Sequence, residues 1–96
     1  MIEVSKFRLM NDVSAERFLK NNAEYQQRFV YQQEGLVRRT VASGLGGDWL
    51  SITWWRSMTD ARRSATEALT SPVALEYSAL LDTSSIVTEY FKELAG

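Results

Sequence analysis

The sequence contains no cysteine and no histidine. Without cysteine it can form no disulfide and offers no thiolate for catalysis or for metal binding. Without histidine it lacks the commonest general base and the commonest metal ligand, and a Ser-His-Asp triad is excluded. We therefore expect no metal site and no cofactor in this protein. The lack of disulfides leaves the redox compartment open, and a cytoplasmic location agrees best with it.

Long apolar runs and an excess of one charge are also missing. The apolar runs are only a few residues long, whereas a membrane-spanning helix needs roughly 20, and Glu3 and Lys6 interrupt any apolar core of a secretory signal. Eleven basic and twelve acidic residues give a formal net charge of −1. Nucleic-acid binders usually gather a basic excess on one face, whereas here the basic pairs at 38–39 and 62–63 have acidic residues between them. We expect neither a membrane nor a nucleic acid as a partner.

What the chain does have is the length of one domain and clear strand and helix patterns. The 96 residues, 45% of them hydrophobic, are too few for two domains and form a single domain over 1–96. A helical period predicts a first helix from 15 to about 33, capped by Ser14 and followed by Gly35 in a left-handed conformation. Strands are predicted over 2–9, 36–42, 49–55 and 86–91, with a hairpin loop over 43–48 and a loop over 82–85.

The second helical segment is predicted in two pieces. Ser57 and Asp60 have the Ser-x-x-acid spacing in which two residues cap a helix start reciprocally. Pro72, the only proline, interrupts the apolar stripe and is expected to start a short third helix with Ser71 as its cap. The order is therefore β-α-β-β-α-β with the second α split. This order predicts a ferredoxin-like α+β fold, in which a four-stranded antiparallel sheet has its helices on one face.

This fold leaves the second face of the sheet without a cover. Ile2 and Val4 point to one side of the first strand, whereas Phe7 and Leu9 point to the other, so both faces are partly apolar. A domain of this size buries only about two-thirds of its unfolded surface, and an exposed apolar sheet face would add to the cost. We therefore predict that two copies pair their sheets face to face as a homodimer.

Short motifs along nearly the whole chain are similar to those of one known superfamily. They are Glu3-x-x-x-Phe7-Arg8-Leu9, Gly35-Leu36-Val37-Arg38-Arg39, Trp55-x-Ser57, the break at Ser71-Pro72 before an apolar helix, and a last strand ending in Tyr90-Phe91. With these motifs the chain resembles the dimeric α+β barrel superfamily and, within it, the small proteins related to antibiotic-biosynthesis monooxygenases. The resemblance implies a ferredoxin-like protomer that pairs into a barrel. It does not fix a reaction, because the superfamily includes oxygenases, isomerases and haem-degrading enzymes.

The sequence departs from the haem-degrading relatives at the positions that matter for haem. Ser78 stands near the place of their axial histidine, and Phe7 stands near the place of their pocket asparagine, which makes Phe7 a candidate pocket residue. No His or Cys and no suitably placed Met is available as an iron ligand, which argues against haem. The resemblance then implies a cofactor-free monooxygenase that oxidises an activated phenolic or quinol ring.

Tryptophans on the third strand are candidate ligand-binding residues. Alternation places Trp54 and Trp55 on opposite faces, and Trp55 shares its face with positions 49, 51 and 53. Either ring could form a wall that stacks on a planar ligand. Alternatively, both rings simply pack in the core and in the dimer interface, as large aromatic side chains on strands commonly do.

Charged residues on the first two strands supply the remaining candidates. Arg38 and Arg39 point to opposite faces, so one of them can enter the interior and bind a substrate carboxylate or enolate, or pair with Glu3 or Glu89. Glu3 is the best candidate for a carboxyl whose pKa is raised by burial, which would let it act as a base, although an arginine partner would lower that pKa. Tyr77 is expected to line the cavity between helices and sheet or to belong to the core.

Two functions remain open from the sequence. The leading one is a small-molecule-binding homodimer of the monooxygenase-like barrel type, with cofactor-free oxygenation of an aromatic metabolite as its enzymatic form. The alternative is a non-catalytic dimerisation or ligand-sensing module. A solvent-reachable pocket that contains Glu3 or an arginine favours the first, and a dry, filled interior favours the second.

Overall fold

Four strands form one antiparallel sheet, and the helices pack on one of its faces. The strands are β1 (Ile2–Leu9), β2 (Leu36–Ser43), β3 (Trp49–Trp55) and β4 (Leu81–Phe91), in the order β2-β3-β1-β4. The helices are α1 (Ala15–Arg28), α2 (Met58–Ala68) and α3 (Pro72–Ser78), with a 3₁₀ turn (Val30–Gln32) after α1. These elements come from a computed structural model that describes residues 1–96. The predicted ferredoxin-like α+β fold with a split second helix is confirmed.

Each helix begins at the serine that the sequence predicts as its cap. Ser14, Ser57 and Ser71 each accept a hydrogen bond from the backbone N–H three residues further on, at 3.1, 3.2 and 3.3 Å. The second half of the predicted reciprocal pair differs, because the Asp60 carboxylate accepts from the Ser57 hydroxyl at 3.0 Å. Pro72 is the first residue of α3, where a missing N–H leaves no bond unmade. Local chemistry therefore sets where all three helices start.

The first helix ends at Arg28, earlier than the predicted end near residue 33. The chain leaves helical geometry at Phe29, where φ is −126°. Phe29 and Val30 are adjacent in sequence and both are buried against α3, so tertiary packing overrides the helical period there. Gly35 has φ +84°, as predicted, and it lies so close to the Asp60 carboxylate that a Cβ would overlap it. Glycine is therefore required at this position both by the backbone and by the contact with α2.

The fourth strand begins at Leu81, so the prediction of a loop over 82–85 is wrong. The Asp-Thr-Ser-Ser composition of this segment favours local side-chain hydrogen bonds and therefore resembles a turn. Pairing between β4 and β1 shifts its register between Lys6 and Arg8, and the Arg8 N–H donates to the Ser85 hydroxyl at 2.9 Å. A bulge in the ladder thus accommodates turn-forming residues within the strand.

The second strand is also irregular, with a register shift between Leu36 and Arg38. Alternation predicts that Val37 and Val41 share a face. Val41 packs against the core, whereas Val37 at the shift is 64% exposed. The strand extends through Ser43, one residue beyond its predicted end. Strict alternation therefore holds only beyond the irregularity.

We call the side of the sheet under the helices the covered face and the other side the open face. The odd-numbered residues of β1 and β3 lie on the covered face, and the even-numbered ones lie on the open face. The main core cluster is on the covered face and consists of Phe7, Phe18, Tyr77 and Leu81. The centre of the open face consists of half-buried apolar side chains: Ile2, Val4, Leu50 and Ile52. None of the helices has the length and apolar character needed to span a bilayer.

Candidate ligand cavity

A cavity of about 180 Å³ lies between the covered face and the helices. The wall contributed by α2 consists of small residues: Ala61, Ser64, Ala65 and Ala68. Larger apolar and aromatic side chains complete the lining: Phe7, Tyr25, Phe29, Val30, Trp55, Tyr77, Leu81 and Ile86. Because the α2 residues facing the sheet are small, this helix leaves space that longer side chains would fill.

Strand register arranges the polar floor of the cavity in rows across the sheet. In one row Arg39 of β2 pairs with Thr53 of β3, and Thr53 pairs with Glu3 of β1. In the next row Ser51 of β3 pairs with Ser5 of β1. Neighbouring strands lie about 4.8 Å apart, so the strands carrying the guanidinium and the carboxyl are separated by about 10 Å. A positive charge and a carboxyl therefore stand at the two ends of one hydroxyl-bearing row.

Arg39 is buried, with 8% of its surface exposed, and its hydrogen-bond partners are all neutral. Its Nη1 donates to Asn22 Oδ1 and to Gln26 Oε1, both at 2.7 Å, and its Nη2 donates to the Tyr77 hydroxyl at 3.0 Å. No ion pair with a glutamate forms, because none of the salt bridges involves Arg39. Arginine stays protonated in proteins. The cavity therefore holds a full positive charge without a counter-charge in contact.

Tyr25 and Tyr77 form a stacked pair beside this guanidinium. Their ring centroids are 4.0 Å apart with an interplanar angle of 9°, and Arg39 Cζ lies 5.3 and 5.5 Å from the two centroids. Burial raises the pKa of Tyr25 to about 12 and also raises the pKa of Tyr77, although the Arg39 charge opposes both shifts. Both phenols are therefore neutral at physiological pH and do not accept a proton from a ligand.

Glu3 is the only carboxyl in the cavity lining. Trp55 Nε1 donates to Glu3 Oε1 at 2.9 Å. Burial raises the pKa of Glu3, and the Trp55 hydrogen bond and the Arg39 charge lower it by less. The net rise makes Glu3 a stronger proton acceptor at neutral pH than a hydrated glutamate. No group of three or more His, Cys, Asp or Glu side chains is arranged to hold a metal ion.

The structure separates the candidate residues into two sets. Five line the cavity: Glu3, Phe7, Arg39, Trp55 and Tyr77. Arg38 and Trp54 lie on the open face, where Arg38 Cζ is 4.9 Å from the centroid of the Trp54 ring. Neither side chain belongs to the cavity lining, so neither contacts a ligand bound there. The arginine that points inward is Arg39, a choice that alternation alone leaves open.

Sequence patterns did not single out the polar side chains that surround Arg39 or lie on the cavity surface: Asn22, Gln26, Ser51, Thr53 and Ser64. A signal for two of them exists in β3, because alternation places Ser51 and Thr53 on the face of Trp55. Asn22 and Gln26 are four residues apart on the side of α1 that carries Phe18, so a polar pair on an apolar helix face was the available signal. The residue that bonds to such a pair is distant in the sequence, and periodicity does not reveal it.

The fold of this chain is similar to that of solved proteins that include a cofactor-independent oxygenase and an antibiotic biosynthesis monooxygenase. The resemblance drawn from the sequence motifs is thus confirmed for the fold. No protein-family model and no curated protein sequence matches this chain.

The likeness rests on solved structures. A mutant of SnoaB, a cofactor-independent oxygenase from Streptomyces nogalater, aligns with a TM-score of 0.78 at 20% identity over 99% of this chain and 93% of that one. The protein At3g17210 from Arabidopsis thaliana aligns with a TM-score of 0.74 at 13% identity over 99% and 96%. An antibiotic biosynthesis monooxygenase aligns with a TM-score of 0.73 at 9% identity over 99% and 100%. These TM-scores establish a shared fold, although the sequence identities are low.

Proposed function

We propose that this protein is a cofactor-independent monooxygenase that oxidises a small aromatic molecule bound in the cavity. The observation that carries the proposal is the presence in one aromatic-walled cavity of a carboxyl with a raised pKa, Glu3, and an unneutralised guanidinium, Arg39. The fold likeness supports it, because SnoaB is named as a cofactor-independent oxygenase.

The chemistry begins with removal of a proton from the substrate. Glu3 accepts the proton of a ring hydroxyl, and the electron-rich phenolate then reacts with O₂. In balanced form, a phenol with a free ortho or para C–H and one O₂ give an ortho- or para-quinone and one water. One oxygen atom enters the ring and the other leaves as water. The Trp55 indole N–H, already bonded to Glu3, holds the base in place during this transfer.

We further infer that the protein is a homodimer in which a second copy covers the open face. Phe91 of β4 is 49% exposed and pairs with Ile2 of β1, which pairs with Trp54 of β3, whereas Glu89 of β4 pairs with Val4. An apolar row that crosses three strands is unusual on a monomer surface. A copy of the same face is a complementary cover because its centre is equally apolar.

Oxygen labelling tests the proposed reaction. The purified protein is supplied with 1-naphthol under ¹⁸O₂, with a protein-free sample for background oxidation. We expect 1,4-naphthoquinone with one labelled oxygen, and an equal amount of labelled water. Absence of protein-dependent oxygen uptake across a panel of one- and two-ring phenols would contradict the proposal.

A matched pair of variants assigns the base. Glu3→Gln keeps an acceptor for Trp55 but removes the basic carboxylate, and we expect it to lower kcat at least about 100-fold, the lower range for loss of a general base. Glu16→Gln, an exposed change in the first turn of α1, should leave kcat unchanged. Equal rates for Glu3→Gln and the unmodified protein would remove Glu3 from the reaction.

One observation favours a binding module as the second candidate. Both cavity tyrosines have raised pKa values, so neither phenol accepts a proton near neutral pH and Glu3 is the single candidate base there. If the oxygen-uptake experiment is negative and a ligand still binds in the cavity, the protein is a ligand-sensing module of the same fold.

A further inference from the structure

Two of the five N–H donors of Arg39 have no hydrogen-bond partner in the protein. A guanidinium has five N–H donors. Both Nη1 donors are used by α1, and one Nη2 donor is used by the Tyr77 hydroxyl. The Nε–H and the second Nη2–H have no acceptor in the protein. These two donors belong to a buried cation that lines the cavity.

Three of the hydroxyls that line the cavity also have no hydrogen-bond partner in the protein. Ser51, Thr53 and Ser64 are 9%, 6% and 7% exposed, and all three line the cavity. Their hydroxyls take part in none of the side-chain hydrogen bonds, in contrast to Ser5, which is bonded to Thr88 at 2.8 Å. Buried polar groups are normally satisfied, by protein, water or ligand. A purely hydrocarbon ligand would leave three hydroxyls and two guanidinium donors without partners.

We propose that the ligand is a planar hydroxylated aromatic carboxylate of one or two rings, whose carboxylate binds the free Nε and Nη2 donors of Arg39. A carboxylate offers two oxygens to these donors, and arginine is the side chain best suited to recognise it. This inference depends on the proposed function only in taking the cavity as the substrate site.

Volume and charge define the class further. The cavity measures about 180 Å³, and an apolar protein cavity of about 150 Å³ is large enough for benzene, so one or two rings fit and a larger polycycle does not. A phosphate would bring a second negative charge into a cavity that already contains Glu3, whereas a carboxylate brings one. A single-charge anion therefore suits the site better.

The row of Arg39, Thr53 and Glu3 on the cavity floor also sets the orientation of the ligand. With the carboxylate at Arg39 on β2, the ring extends across Thr53 of β3 towards Glu3 on β1. The separation of about 10 Å between the outer strands of this row leaves space for one ring system and its substituents. The ring hydroxyl then lies at the Glu3 end, where the base takes its proton.

A matched ligand pair tests the inference without changing the protein. Binding of 4-hydroxybenzoate and of 4-hydroxybenzamide is measured by calorimetry at neutral pH. The two probes have nearly the same shape and differ in charge. We expect the acid to bind at least about tenfold more tightly, since a hydrogen-bonded charge pair that is buried contributes more than a neutral one. Equal affinities, or no binding of either probe, overturn the inference.

Neighbouring arginines provide the matched variants. Arg39→Gln should reduce the preference for the acid to about onefold, whereas Arg38→Gln, one residue away on the open face, should leave it unchanged. Because Arg39 has three protein partners, folding of its variant is checked by thermal unfolding. If that variant does not fold, Thr53→Val replaces it, and a loss of affinity for 4-hydroxybenzoate but not for benzoate supports the orientation. An unchanged preference in folded Arg39→Gln contradicts the proposal.

The outcomes separate this inference from the proposed reaction. Oxygen uptake with uncharged 1-naphthol, together with equal binding of acid and amide, would retain the oxygenase and remove the carboxylate preference. Selective binding of the acid without oxygen uptake from any hydroxylated ligand would retain the preference and remove the oxygenase.

Discussion

Both faces of the sheet depart from the usual distribution of polarity. An antiparallel sheet with helices on one side generally buries an apolar face and exposes a polar one. Here the covered face carries a charged residue, a carboxyl and several hydroxyls: Arg39, Glu3, Ser5, Ser51 and Thr53. The centre of the open face carries aliphatic side chains: Ile2, Val4, Leu50 and Ile52.

Each face has its own energetic cost, and each cost indicates a different partner. Cavity hydroxyls that bond to no protein group are costly to cover unless water or a ligand bonds to them. Aliphatic side chains facing water forgo about 25 cal/mol for each Å² that could be buried. The covered face therefore indicates a polar ligand, and the open face indicates a second copy of the chain. Experiments that act on one face at a time can test this division.

The largest effect is expected on the covered face, at Trp55. The ring is 6% exposed and its Nε1 is bonded to Glu3. Trp55→Ala should lower the free energy of unfolding by about 3–5 kcal/mol, because it leaves a large void. Trp55→Phe should cost less, about 1–3 kcal/mol, since it mainly removes the hydrogen bond to a carboxylate.

Chemical denaturation with a common m-value measures both variants. A loss below about 1 kcal/mol for Trp55→Ala would show that the ring does not contribute to a packed interior. If Trp55→Phe keeps its stability but loses affinity for aromatic acids, the ring is a ligand wall rather than core.

The next effect concerns the open face. Unmodified protein at micromolar concentration should have a light-scattering mass near twice 11.0 kDa. Ile52→Glu places an unpaired charge at the centre of the proposed interface, at a cost of about 3 kcal/mol or more, and should raise the dimer Kd at least about 100-fold. Gln27→Glu, an exposed change on α1, is the control. A stable monomer of the unmodified protein would rule out the barrel assembly.

A smaller effect of opposite sign is expected for Glu3→Gln. The folded protein holds the Glu3 proton more tightly than the unfolded chain, where the pKa is 4.5, because burial raises the folded value. Stability therefore decreases as pH rises from 4.5 through the folded pKa, and the cost is complete above it. Glu3→Gln should remove this decrease and be at least as stable as the unmodified protein at neutral pH. A steeper decrease with pH in the variant would contradict the assignment.

Sequence patterns predicted the fold because each element carries a local signal. The serine caps, the proline at the start of α3 and the left-handed Gly35 are all short-range features, and the structure retains them. The errors occur where contacts distant in sequence decide the outcome. The packing of Phe29 against α3 ends α1 early, and pairing with β1 draws residues 82–85 into β4.

The candidate site was only partly predictable for the same reason. Alternation shows that Arg38 and Arg39 face opposite ways, but the identity of the inner residue depends on the register of β2, which shifts near Leu36. The hydrogen-bond partners of Arg39 lie 17, 13 and 38 residues away in the chain. No local pattern encodes contacts at such separations, so only the structure shows that Arg39 bonds to uncharged groups alone.

The smallest expected effect compares these two arginines directly. Arg38 stacks over Trp54 on the open face, 4.9 Å from the ring centroid, and a cation–π contact at an exposed site contributes about 0.5–1 kcal/mol. Arg38→Met should therefore lower the unfolding free energy by no more than about 1 kcal/mol. Arg39→Met should cost several times as much, because it leaves Asn22, Gln26 and Tyr77 without their donor. Both variants are measured by urea denaturation at one protein concentration, since the proposed dimer would make stability depend on it. Similar losses for the two variants would mean that the sheet does not separate a ligand-binding face from an interface.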